Sequence, residues 1–161
     1  MELKNRVSFG KLFFTCYFVA LFIYIIIGLQ PARAATSDGN LSIPSIKLAS
    51  ATTTLKPNKS ELETPDTIAG SYSQSTNKTL IIGHSTTVFQ NLHNIQIGDV
   101  VFFNRHVFRV TAIETKLKSS IKMSQLLKAE ETNTIVIMTC AGDLYENGDA
   151  SHRLIITAVQ I

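Results

Sequence analysis

Residues 133–140 read NTIVIMTC, a run of β-branched and apolar residues without a charge. A short run of this kind predicts a buried β-strand, because branched side chains pack well on a pleated surface. Similar runs occur at residues 79–84, 100–103, 107–113 and 153–159, with turn residues between them. The sequence therefore predicts an all-β domain, either a sandwich or a closed barrel.

The remaining segments are weaker predictions. Residues 41–46 alternate apolar and polar side chains around a proline that suits an edge strand. Residues 50–74 are rich in Ser, Thr and Pro and are predicted to be a loop with one helical turn. Residues 88–97 have apolar side chains at helical spacing for about two turns, and residues 123–129 form a short amphipathic stretch.

The most apolar segment of the chain is residues 12–29, LFFTCYFVALFIYIIIGL. Its length in a helix, at about 1.5 Å per residue, is roughly 27 Å, close to the thickness of a bilayer's hydrocarbon core. Lys4, Arg6 and Lys11 precede it, which predicts a cytoplasmic N-terminus and an extracytoplasmic remainder. A retained signal anchor is the first interpretation. A cleaved signal peptide is the alternative, because residues 32–35 read ARAA.

These features give a domain organisation. We expect a cytoplasmic tail and one transmembrane helix at residues 1–29, and a flexible stalk rich in Ala, Ser, Thr and Gly at residues 30–40. Residues 41–161 then form one domain outside the cell membrane, to which a single span anchors it.

The charge pattern argues against several classes of function. The formal net charge of +3 is spread along the chain without a basic block, so we expect no nucleic-acid partner. The sequence contains no Gly-rich phosphate loop. The histidines are too scattered to form a zinc-binding pattern, and we expect neither a metal nor a cofactor.

Cys140 is the single thiol outside the apolar segment. In an oxidising compartment it has no partner for an intramolecular disulfide, so it is either buried and inert or reactive. The pattern places it where a strand gives way to a loop. Catalytic groups concentrate on loops held by a rigid scaffold, which favours a reactive thiol.

One of the four histidines occupies a comparable position. His84 follows Gly83 at the end of an apolar run, whereas His93 lies in the helix-like segment and His106 in a tight turn. The last two are more simply explained as surface residues. His84 is therefore the candidate general acid and base for a thiol nucleophile.

Arg153 is the candidate positive charge. It opens the last strand, and a strand-loop-strand connection would return it beside Cys140. Because side chains alternate across a strand, His152 is then expected to point away from the thiol.

Taken in order, these segments resemble the sortase family of cysteine transpeptidases. The matching stretches are the strand ending on Thr-Cys (135–140), Gly-His-Ser (83–85), Phe-x-x-Leu (89–92), Ile-Gly-Asp-Val-Val (97–101), the arginine strand (153–158) and the first strand (41–44). Together they span nearly all of residues 41–161.

The resemblance implies a closed eight-stranded β-barrel with short helices. It implies that Cys140 attacks the Thr carbonyl of a sorting motif such as Leu-Pro-x-Thr-Gly and forms a thioester. His84 would transfer protons, Arg153 would stabilise the oxyanion, and Thr139 and Ser85 would contact the substrate. An amine of a peptidoglycan precursor or of a pilin would resolve the thioester, at the cell wall of a Gram-positive-type bacterium.

One departure from the family concerns residues 115–133, which lie beside the peptide groove in sortases. Here this segment is short and Lys-rich, and Glu130 and Glu131 alone make a weak calcium site. Two other functions stay open on the sequence: a cysteine hydrolase that uses the same Cys-His pair with water, and a non-catalytic binding module on a membrane stalk.

Overall fold

The computed structural model describes residues 38–56, 64–146 and 149–161. The transmembrane helix predicted at residues 12–29 and most of the predicted stalk lie outside these ranges. Within the described ranges, no helix is both long and apolar enough to span a bilayer.

The described chain forms a closed eight-stranded β-barrel with neighbours in the order β1-β2-β3-β4-β7-β8-β6-β5. The strands are β1 Gly39–Ile43, β2 Leu48–Thr54, β3 Ala69–Ser75, β4 Lys78–Ile82, β5 Val100–Phe103, β6 His106–Leu117, β7 Thr134–Leu144 and β8 Ala150–Gln160. The β2–β3 and β4–β7 pairs are parallel and the other pairs are antiparallel. The predicted barrel is confirmed, and the sandwich alternative is wrong.

The described helices are short. Three are 3₁₀ helices and one is an α-helix, α1: Pro44–Ile46, Leu92–Asn94, Lys118–Ser120 and Met123–Leu126. The tight turn between β5 and β6 uses Asn104 and Arg105, both with positive φ, at 48° and 69°. That conformation matches the twist of the flanking strands in a two-residue hairpin.

The barrel interior is an apolar core to which every strand contributes. In β7 the inward-facing residues are Ile135 and Ile137, and in β8 they are Leu154 and Ile156. This alternation explains why the apolar runs in these two strands predicted strands correctly.

A second apolar cluster lies on the opposite faces of β4, β7 and β8. Its buried members are Leu55, Leu80, Ile82, Val136 and Ile155. Side chains of the β6–β7 connection (residues 118–133) pack against it, namely Ile121, Leu126 and Leu127. The three strands are therefore apolar on both faces, which explains their continuous apolar sequence.

Two predictions of local structure were wrong. Residues 50–74, predicted to be loop, contain most of β2 and all but one residue of β3. These strands read LASATTT and AGSYSQS, and pairing with their neighbours stabilises them despite the lack of an apolar pattern. The two helical turns predicted at residues 88–97 are a turn followed by a 3₁₀ helix, although Phe89, Leu92 and Ile95 are buried as the spacing indicated.

Candidate functional site

Cys140 and Arg153 lie opposite each other on neighbouring strands. They are Cα partners in the antiparallel β7–β8 pair. Directly opposed side chains in such a pair have Cβ atoms about 4.5–5.5 Å apart. The predicted return of Arg153 beside Cys140 is confirmed, and His152 pairs with Ala141, so it faces the other side of the sheet.

The predicted loop position of Cys140 was wrong. β7 continues to Leu144, so the cysteine lies within a paired strand near the rim of the barrel. The register of the β7–β8 pair shifts between Ala141 and Leu144. Cys140 is half-buried and therefore accessible to a reactant.

His84 reaches the same end of the barrel from the other side of β7. It follows β4, which runs parallel to β7 with Ile82 opposite Met138. The buried hydroxyl of Thr139 donates a 2.7 Å hydrogen bond to the carbonyl oxygen of Gly83. This bond joins the residue before His84 to the residue before Cys140.

Gly83 is required at this junction for a steric reason. A Cβ atom at this position would lie 2.8 Å from the ring of Phe89, which is buried in the core. The absence of a side chain allows the end of β4 to pass over that ring and to present His84 at the surface.

The three residues thus belong to strands that are neighbours in the barrel. Cys140 lies on β7 and Arg153 on β8, and His84 is two residues beyond the end of β4. Adjacent strands are about 4.8 Å apart. Cys140 shares its face of β7 with Val136 and Met138, and Arg153 shares its face of β8 with Ile155. Cys140 and Arg153 therefore lie on the same face as the outer apolar cluster.

A cavity of about 430 Å³ opens along this face. Its lining includes the outer side chains of β7 and β8 and the connection above them: Lys78, Glu114, Lys116, Ser120, Ile121, Lys122, Gln125, Leu126, Val136, Ile155 and Thr157. Four of the lining residues are apolar, namely Ile121, Leu126, Val136 and Ile155, and the other seven are polar or charged.

The ring of His84 faces the chain that leads into β3. Its Nε2 atom lies 3.3 Å from the carbonyl oxygen of Thr64 and 3.7 Å from Oδ1 of Asp66. A carbonyl oxygen can only accept, so the first contact requires a hydrogen on Nε2. In the neutral ring Nδ1 is then the nitrogen that can accept a proton. The His84 side chain is 42% exposed.

The guanidinium of Arg153 is held by the β7–β8 connection. Nη1 donates to the carbonyl oxygens of Ala150 and His152, each at 3.0 Å, and Nη2 donates to Oδ1 of Asp149 at 2.7 Å. Lys118 binds the other oxygen of the same carboxylate. The hydrogen bonds from Lys118 and Arg153 hold the pKa of Asp149 well below its usual range.

The other predicted site residues occupy different environments. Thr139 is 5% exposed, and its hydroxyl is used in the bond to Gly83. Ser85 is half-buried in the turn after His84. His93 and His106 are exposed, as predicted for surface residues.

Sequence reasoning missed the groups that hold the site residues. Thr64 and Asp66 contact His84 across 20 and 18 residues of sequence, and no local pattern marks them. Asp149 lies four residues before Arg153, in a connection whose Gly and Asp content indicated only a loop. The spacing of four residues between Asp149 and Arg153 was the feature of the sequence that could have indicated this ion pair.

The β6–β7 connection is tied down at both ends. At the start Lys118 pairs with Asp149, and near the end Glu130 pairs with Lys78 at 2.7 Å. Asn77 also donates to the carbonyl oxygen of Glu130. In the part of the chain that the structure describes, no group of three or more His, Cys, Asp or Glu side chains is placed to hold a metal ion.

Comparisons with known proteins agree with this geometry. A family model described as "Sortase domain" matches residues 41–161. Sortase A from Corynebacterium diphtheriae (a lid mutant) is 25% identical with a TM-score of 0.61, covering 83% of this chain and 75% of that one. No curated protein sequence matches the chain.

Two further solved structures share the fold at lower identity. Sortase A from Listeria monocytogenes is 13% identical with a TM-score of 0.61, over 78% of this chain and 87% of that one. Sortase C-1 from Actinomyces oris is 21% identical with a TM-score of 0.60, over 84% of this chain and 77% of that one.

Proposed function

The chain belongs to the sortase family, and we propose that it is a transpeptidase that cuts a sorting motif between Thr and Gly and joins the new carboxyl end to an amine. The observation that supports this most directly is the direct pairing of Cys140 with Arg153 on β7 and β8, with His84 following β4, the strand on the other side of β7.

The chemistry begins with Cys140. Its thiolate attacks the Thr carbonyl carbon, and the carbonyl electrons move onto oxygen. When the tetrahedral intermediate collapses, the Thr–Gly C–N bond breaks and a thioester remains. The leaving amine takes a proton from the His84 imidazolium, because an amine leaves readily only when it is protonated.

The second half-reaction reverses these roles. An acceptor amine attacks the thioester carbon and gives a proton to the neutral His84. The C–S bond breaks, Cys140 leaves as the thiolate, and a new amide forms. With Nε2 bonded to the Thr64 carbonyl, Nδ1 is the nitrogen that exchanges this proton.

Arg153 supports the charge that develops on the substrate oxygen. Asp149, Ala150 and His152 use three of its five N–H groups, and the proposal assigns the other two to the oxyanion. Removing a donor to such an oxyanion typically costs about 2.7–4 kcal/mol of barrier. The permanent charge of arginine suits this task over a wide pH range.

The peptide would lie in the cleft between the β6–β7 connection and the outer face of β7 and β8. Val136 and Ile155, which line the cavity, would give apolar contacts to the Leu and Pro side chains of a sorting motif. The same face of β7 carries Cys140, so a peptide that follows the strand would bring its Thr carbonyl to the thiol.

A transfer assay tests the proposal. The full chain is incubated with peptides of the Leu-Pro-x-Thr-Gly type, with and without triglycine or a diamino acid, and products are identified by mass spectrometry. We expect a thioester on Cys140 and an amide product that increases with amine concentration. If the peptide is only hydrolysed, and no amide with the added amine forms, the protein is a hydrolase. If no acyl-enzyme forms with any peptide of the panel, the binding-module alternative is supported instead.

We also propose that residues 12–29 anchor this enzyme in the cell membrane, with residues 41–161 on the outer side. The support is the uncharged length of that segment and the three basic residues before it. Added protease should digest the catalytic domain on intact protoplasts. Protection equal to that of a cytoplasmic marker would contradict this orientation.

A further inference from the structure

Asp149 connects two parts of the site that are distant in sequence. Oδ1 accepts hydrogen bonds from Nη2 of Arg153 at 2.7 Å and from the backbone N–H of Ala150 at 2.9 Å. Oδ2 is bound by Lys118, at the start of the β6–β7 connection. The carboxylate therefore joins β8 to the segment that covers the cleft.

The guanidinium is planar, so its contacts fix its direction. With Nη1 on two carbonyl oxygens and Nη2 on Asp149, the group cannot turn without breaking three hydrogen bonds. The Arg153 side chain is 14% exposed. Of these partners, Asp149 is the charged one, and a charge-assisted hydrogen bond is about twice as strong as a neutral one.

We propose that Asp149 is a positioning residue, which orients the guanidinium of Arg153 toward the substrate oxygen at Cys140. This inference rests on the proposed function, because it assigns Asp149 a part in the same reaction. Lys118 holds the carboxylate from the opposite side. The low pKa of Asp149 keeps it charged throughout the pH range in which a thiol enzyme works.

A purely structural role is the competing explanation, in which Asp149 closes the β7–β8 connection and nothing more. A double-mutant cycle separates the two. If Asp149 acts through Arg153, Asp149→Asn should lower kcat in the wild-type background but not in the Arg153→Lys background. If the role of Asp149 is structural, the fold-decrease in kcat of the double variant should equal the product of the fold-decreases of the two single variants.

We expect Asp149→Asn to lower kcat on the order of tenfold, the value of one charge-assisted hydrogen bond, with KM changed less than twofold. Asp149→Glu should restore part of the loss. The double variant with Arg153→Lys should be within twofold of Arg153→Lys alone. The matched control is Asp143→Asn, an exposed aspartate in the same hairpin, which should keep wild-type activity.

A second measurement needs no turnover. In ¹⁵N-labelled full chain, exchange of the Arg153 side-chain N–H groups with solvent should be at least about tenfold faster in Asp149→Asn than in Asp143→Asn. If the wild type transfers no peptide, the proposed function fails, and this exchange rate still decides whether Asp149 positions Arg153. The inference would be overturned if a folded Asp149→Asn variant exchanged its Arg153 side-chain N–H groups at the wild-type rate. It would also be overturned if the decreases in kcat of the two single variants multiplied in the double variant.

Discussion

The two faces of β7 use similar side chains for different purposes. On the inner face Ile135 and Ile137 are fully buried in a core to which all eight strands contribute. On the outer face Val136 and Met138 pack in a second cluster together with side chains of the β6–β7 connection, and the same face carries Cys140.

A single barrel needs only its inner face to be apolar for folding. The outer face of β4, β7 and β8 is apolar as well, because it packs against the β6–β7 connection and borders the cavity in which we propose that the peptide binds. Substitutions on the two faces of β7 should therefore separate stability from activity.

The largest effect is expected at the outer face. Cys140→Ala should lower transfer by at least about 10³-fold, because the nucleophile is lost. The melting temperature should stay at the wild-type value, since the change removes one half-buried sulfur atom. Peptide transfer and thermal unfolding measure the two quantities. The matched control is Cys16→Ala, at the cysteine of the apolar segment 12–29, which should keep full activity.

The next effect belongs to the inner face. Ile137→Ala should lower the free energy of unfolding by about 2–5 kcal/mol, through lost burial and the cavity left behind. Its kcat per folded molecule should stay near wild type. Met138→Ala, one residue along on the outer face, should cost less stability and raise KM. Denaturant unfolding and steady-state kinetics test the pair, and equal stability losses would refute the division between faces.

The sequence predicted those parts of the molecule whose determinants are local. β7 and β8 are strongly apolar, and their short connection placed Arg153 beside Cys140 correctly. The approximate position of His84 followed from the end of another apolar run. These predictions needed no knowledge of distant contacts.

The missed features depend on distant contacts. β2 and β3 consist of Ser, Thr and small residues, and their pairing in the barrel is what makes them strands. β7 runs past Cys140 because β8 pairs with it there. Asp66 meets His84 only after the barrel closes.

A smaller effect is expected at the bond between the two strand ends. Thr139→Val keeps the shape of the side chain but removes the hydroxyl that donates to the carbonyl oxygen of Gly83. Because that buried carbonyl is then left without a donor, the free energy of unfolding should fall by about 1–3 kcal/mol. Activity should fall further than the folded fraction, because this bond holds His84 relative to Cys140. Thr139→Ser retains a hydroxyl and should recover both. A variant with reduced stability but normal kcat would show that the bond serves the fold alone.

The smallest effect concerns the far end of the β6–β7 connection. Among the described residues Lys78 is the one buried charged side chain, 7% exposed, whereas its partner Glu130 is 48% exposed. Glu130→Ala leaves a buried ammonium without its counter-charge, and Lys78→Met leaves a carboxylate that water can solvate. Glu130→Ala should therefore lower the melting temperature by a few degrees more than Lys78→Met. Glu131→Ala, an exposed neighbour, is the control.

The same ion pair has a pH signature. The hydrogen bond and charge of Lys78 lower the pKa of Glu130. A carboxyl group with a lower pKa in the folded state stabilises the fold fully above its unfolded pKa of about 4.3, and this contribution is lost as the pH falls through the folded value. The pKa of Asp149 is lowered as well, so its contribution to stability is also lost at low pH, and the wild type alone does not separate the two contributions. The melting temperatures of wild type and Glu130→Ala should therefore converge as the pH falls below about 4.3, and a constant difference would exclude the ion pair as its source.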